Sequence, residues 1–136
     1  MSPRRRFPAA PVSVANARRF ALSRLPDASN DVRERVELMV SELAANCVVH
    51  AASDFEVSIT SEEDVVRVEV TDTADGQPTV QWPDRLHPKG RGLQIVSALA
   101  DQWGVVPSPG GTPGKTVWFT LELPASLRQA DRRSRR

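Results

Sequence analysis

The sequence predicts an α+β two-layer sandwich, with a mixed, mostly antiparallel sheet and helices on one face. Two observations carry that prediction. Apolar residues recur at helical spacing in three stretches, and elsewhere they alternate at period two in strand-like runs joined by short turns. The order is helix, helix, strand, strand, loop, helix, strand, strand, which suits hairpins backed by helices. At 136 residues the chain fits one domain with a real core.

Residues 1–11, "MSPRRRFPAAP", are predicted to form a disordered N-terminal arm, 12–124 the folded domain, and 125–136 a basic, disordered tail. The first helix covers 12 to about 25 and gathers Val14, Ala17, Ala21 and Leu25 on one side. Pro26 ends it, because proline disfavours helix in the residue before it. That helix has no obvious place to bury all its apolar surface, which suggests a homodimer. The second helix, within "SNDVRERVELMVSELAANCVVHA", opens with Ser29 or Asn30 as N-cap and with Asp31 and Glu34 in its first turn. Val36, Met39, Val40, Leu43 and Cys47 fall on one arc of it.

The period then changes. Residues 55–60 and 65–71 alternate as strands around the acidic turn "SEED". A stretch rich in proline and glycine, 72–92, leads to a third helix over about 93–102. "WGVVP" is a short strand, "SPGGTPG" a turn and "KTVWFTLEL" a last strand.

Composition narrows the function classes. No apolar run is long enough for a membrane span, and the first ten residues lack the apolar region of a signal peptide. The single cysteine, Cys47, allows no intrachain disulfide, suits a reducing cytoplasm, and reads as a small core hydrophobe. Eight of the 18 basic residues lie at positions 4–6 and in the tail, so residues 7–127 carry a net charge of about −6. An acidic body argues against direct binding to nucleic acid.

Four stretches bear on chemistry. "GGTPGKT" imitates a Walker A loop, but Pro109 stands where its first glycine belongs, and a strand follows instead of a helix. Glu42, Asn46 and His50 form an i, i+4, i+8 stripe at the margin of the buried face of helix two. By itself that stripe also fits a solvated flank with one core histidine. Asp72 ends a strand ahead of Gly76 and Pro78; it could accept a hydrogen bond from an amino group or simply initiate a turn. Gly90 and Gly92 precede helix three, whose N-terminal amides could hold an anion, with Lys89 and Arg91 adding positive charge. Ile95 stands where a dinucleotide-binding fingerprint would need its third glycine.

Taken together, the order E-x-x-x-N-x-x-x-H, D-x-x-x-G-x-P, G-x-G and a late-strand threonine resembles the GHKL (histidine-kinase-like) ATPase superfamily. Within it, "SELAANCVVHA", "GRGLQIVSALADQWGV" and "GGTPGKTVWFTLEL" are most similar to the RsbW-like anti-sigma-factor serine kinases. The resemblance covers about residues 12–124 and implies the Bergerat-type sandwich. It also implies ATP/ADP and Mg²⁺ as cofactors. Asn46 would bind the Mg²⁺ that bridges the phosphates, and Glu42 would serve as general base. His50 closes the same motif. Asp72 would take the adenine amino group, with Gly76 in the turn that follows it. Lys89, Gly90, Arg91, Gly92 and Leu93 would surround the phosphates, and Thr116 would face the adenine pocket through a water. The implied activity is phosphorylation of a STAS-type anti-anti-sigma protein on serine, combined with sequestration of a sigma factor. The alternative is a nucleotide-sensing binding module without phosphotransfer. One departure from the family pattern D-x-G-x-G-x-P is Ala74, which stands in place of a glycine.

Overall fold

Alternation of buried and half-buried residues builds the sheet. β2 (Phe55–Glu62) and β3 (Val65–Asp72) form a hairpin, and β5 (Lys115–Glu122) pairs with β3 along its whole length. The computed structural model describes residues 3–25, 27–73 and 88–123, apart from the side chains of 88–91. β4 (Gln102–Pro107) pairs with β5, and β1 (Arg4–Phe7) pairs with β2, giving the order β1-β2-β3-β5-β4. Every pairing among the described residues is antiparallel, where the sequence predicts a mixed, mostly antiparallel sheet.

Each central strand turns one apolar row under the helices: Val57 and Ile59, then Val66, Val68 and Val70, then Val117, Phe119 and Leu121. Above them lie α1 (Val12–Ser23), α2 (Asn30–Ala45) and α3 (Pro88–Leu99). Val36, Met39, Val40, Leu43 and Cys47 of the predicted arc are all buried. Ser29 is the N-cap of α2, its hydroxyl accepting from the Val32 N–H at 3.2 Å. This is the α+β sandwich that the sequence predicts.

Three expectations change. Residues 4–7 are not part of a disordered arm: Phe7 is buried against Phe55 and Phe20, while Arg4 and Arg6 reach Glu56 and Asp54 at 3.6 and 4.0 Å. One inward-facing aromatic and cross-strand charge pairs suffice to hold an edge strand. The apolar side of α1 does find a place within the chain: α2, β1 and β2 cover it, with Ala17, Phe20 and Ala21 buried. Finally, α3 begins at Pro88 and not near residue 93. Proline fits the first helical turn because its missing N–H would have had no partner there.

Candidate functional site

The site grows from the C-terminal end of α2. The Asn46 N–H donates to the carbonyls of Glu42 and Leu43, which fixes Asn46 one helical turn beyond Glu42 on the same face. Both side chains are half-buried. From Asn46 to Ala51 the helix widens into π winding, and it stops at Ala52 in the left-handed region (φ 49°). A π turn of this kind is rare and often accompanies a functional site. It means that the direction of His50, also half-buried, no longer follows a count of 100° per residue from Asn46.

Asn46 meets α3 directly. A methyl group on Gly92 would collide with the Asn46 amide nitrogen and lie 3.3 Å from Cγ and 3.6 Å from Oδ1. Only a residue without a side chain lets the α3 backbone come this close. The E-x-x-x-N stripe and the G-x-G motif, more than 40 residues apart in the chain, are therefore one place in the fold.

The next residue along the π turn, Cys47, faces the other way, into the core. Burial pushes its thiol up to about 12; the Asp72 carboxylate adds to the rise and the Lys115 ammonium opposes it. Cys47 thus links the Asn46 region to a second cluster at the open ends of β3 and β5. There Asp72 is buried, 3 % exposed, and its Oδ2 takes a 2.7 Å ion pair from Lys115 Nζ. The two residues are direct cross-strand partners on the helix-facing side of the sheet. Gly114, at φ 110°, lets the preceding loop dock there: a Cβ would run into the Asp72 carbonyl oxygen and stand 3.0 Å from Thr73 Cα. Ser53 completes the corner, accepting from the Thr73 N–H at 3.2 Å and donating to the Asp54 carbonyl at 2.6 Å.

The structure thus brings Asn46 against Gly92, and the Asp72 carboxylate is near enough to raise the thiol of Cys47, the neighbour of Asn46. Two further expected site residues have other neighbours. Thr116 pairs with Thr71, their hydroxyls 2.7 Å apart, on the sheet face away from the helices; register puts it on the opposite side from Asp72, so it does not share a pocket with that carboxylate. Leu93 packs its side chain on the core. The expected anion-holding amides after Gly92 lie inside α3, because a helix that starts at Pro88 leaves its free N–H groups on the first turn, around residues 89–91. Gly90 lies in that turn. The side chains of Lys89 and Arg91 are outside the described residues, and so is Gly76 altogether.

Lys115 is the residue that sequence reasoning missed. The signal was present in the opposite charges at the two strand ends, but it emerges only once β3 and β5 are set in register.

The donor set suits Mg²⁺-nucleotide chemistry: a neutral amide oxygen is a hard ligand, and Gly92 leaves it room. No curated protein matches the chain. The model of the histidine kinase-like ATPase domain matches residues 7–121, a span that runs from the last residue of β1 to the last but one of β5 and includes α1, α2 and α3. On that match, and on a fold and motif placement that agree with it, the chain belongs to the histidine kinase-like ATPase family.

Proposed function

We propose that the protein is an ATP-dependent serine-protein kinase that also acts as an anti-sigma factor, with a STAS-type anti-anti-sigma protein as its substrate. The observation that carries this reading is Glu42 held one turn before Asn46, with Asn46 set against Gly92. Asn46 would hold Mg²⁺ through its amide oxygen, and the ion would neutralise charge on the nucleotide phosphates. Glu42 would take the proton of the acceptor serine hydroxyl as its oxygen bonds the γ-phosphorus and ADP leaves. Asp72 would accept a hydrogen bond from the base. A phosphoserine on the substrate brings about −1.5 to −2 charges to the contact surface, which weakens that complex and frees the kinase for a sigma factor.

The test uses labelled γ-phosphate, Mg²⁺ and a STAS-domain protein with its acceptor serine. Glu42→Ala should lower phosphotransfer by about 10²- to 10⁴-fold while nucleotide binding persists. Unchanged transfer in that variant would remove Glu42 from the chemistry. Nucleotide binding with no labelled product in the parent would select the alternative, a sensing module without phosphotransfer.

A further inference from the structure

α3 meets α2 at both of its ends, and only one of these contacts lies at the candidate site. Near the start of α3, Gly92 closes on Asn46. At the other end, Arg35 of α2 donates from Nη1 to the Leu99 carbonyl at 3.2 Å, across 64 residues of sequence. The two helices therefore run in opposite directions, with Arg35 and Asn46 about 16 Å apart along α2. The last carbonyls of a helix have no partner within it, and α3 has no basic residue in its own last turn. The positive charge that satisfies Leu99 and suits that end of the helix dipole comes from α2 instead. Asp31, one turn earlier on α2, steadies the guanidinium through a 3.2 Å pair with Nε. The chain leaving α3 is tied separately to the sheet: the Asp101 N–H donates to the Thr120 carbonyl at 2.9 Å, and Asp101 Oδ2 accepts from the Glu122 N–H at 2.7 Å.

We propose that Arg35 is a positioning residue for the nucleotide phosphates, acting through the Leu99 carbonyl and the length of α3. The inference rests on the nucleotide-binding reading above. Arg35 itself is too far along α2 to touch a ligand held at Asn46. Its contact with Leu99 is instead the far end of a lever about 10 Å long, whose near end is Gly92. Tilting α3 by about 10° around Leu99 moves Gly92 by about 2 Å. That is enough to part Gly92 from Asn46 or to drive the two into collision. The free N–H groups of the first turn, around residues 89–91, would move at least as far. One rigid helix thus carries both the amide that would hold Mg²⁺ and the guanidinium that aligns α3 with it. The Asp101 contacts cannot replace Arg35 here, because they fix the end of α3 to the sheet and not to α2. Asp72, on β3, stands outside this lever, so the base side of the site does not depend on it.

The experiment measures Mg-ATP and adenosine binding by calorimetry in the parent, Arg35→Ala and Arg35→Lys, at a temperature where melting curves show all three folded. Arg35→Ala should bind Mg-ATP about three- to thirtyfold more weakly, the range over which a residue remote from a ligand alters its binding. Adenosine has no phosphate to place, so its affinity should stay within about twofold of the parent's. Arg35→Lys should recover most of the Mg-ATP affinity, because one ammonium donor replaces one guanidinium donor at the Leu99 carbonyl. Mg-ATP affinity unchanged in a folded Arg35→Ala protein overturns the inference and leaves the contact a helix cap alone. A loss shared equally by adenosine overturns it too, as general damage to the site, and so does a loss that lysine does not recover. If adenosine binds the parent too weakly to register, the lysine variant decides. Failure of Mg-ATP to bind the parent instead overturns the nucleotide-binding reading, and the inference with it.

Discussion

A methyl group placed on Gly92 would stand 3.3 Å from Cγ of Asn46 and closer still to its amide nitrogen. The obstacle is the end of a rotatable side chain, not backbone, so Asn46 can swing aside. Alanine in a helix interior is worth about 1 kcal/mol over glycine. Gly92→Ala should therefore melt at the same temperature as the parent or higher, yet bind Mg-ATP about tenfold or more weakly because the amide has left its position. Calorimetry for affinity and scanning fluorimetry for stability separate the two effects; parallel losses would mean that Gly92 serves packing alone. Cys47, one residue from Asn46, has the opposite character. Its thiol rises from an ordinary value of 9.0 to about 12, chiefly by burial. The folded state then holds a proton that the unfolded chain releases, so the stabilisation is complete below pH 9 and fades as pH climbs toward 12. In metal-free buffer, urea denaturation should show stability falling by up to about 1.4 kcal/mol per pH unit across that window. Cys47→Ala should remove that part of the slope, and the native thiol should react with maleimide at neutral pH only as fast as the protein opens.

At the scale of elements, β1 is anchored by one residue. Phe7 stacks on Phe55 with ring centroids 5.4 Å apart and meets Phe20 edge-on at 6.1 Å, so a single side chain joins β1, β2 and α1. Phe7→Ala should cost about 3 kcal/mol by chemical denaturation, a large part of the stability of a domain this size. A loss below about 0.5 kcal/mol would mean that β1 is held by its charge pairs and not by its core contact. The same strand shows where sequence reasoning stops. β2, β3, β5 and α2 were legible because each carries several inward positions at a regular period. β1 has one inward aromatic after three arginines, too short for a period to be visible. The start of α3 was hidden because Pro88 reads as a breaker although it suits the first turn. The π turn after Ala45 is a slip in backbone hydrogen bonding that no side-chain spacing announces. Within the site, Glu42 and Asn46 were legible as neighbours one turn apart on a helix. Asp72 and Lys115, 43 residues apart, become neighbours only through strand register, and that same register turns Thr116 to the far face.

For the molecule as a whole, the site is assembled from parts that only the complete fold brings together. Asn46 follows α2, Gly92 lies on α3, and Asp72 and Lys115 sit at the ends of two strands. None of these contacts survives unfolding, so a nucleotide held here binds the native state alone and stabilises all of it. At a free Mg-ATP concentration 100 times the dissociation constant, the gain is about 2.7 kcal/mol. For a single domain of this length that corresponds to a rise in melting temperature of roughly 10 °C. The metal's share can be read by difference. If Asn46 holds Mg²⁺ against the phosphates, adding EDTA with ATP still present should return most of the shift, and Asn46→Ala should show little shift with or without the ion. An equal shift in EDTA would assign the affinity to the base and its contact with Asp72 instead of the phosphates. Because the parent, the chelated sample and the variant are compared at one nucleotide concentration, the three melting curves decide between those two sources of binding.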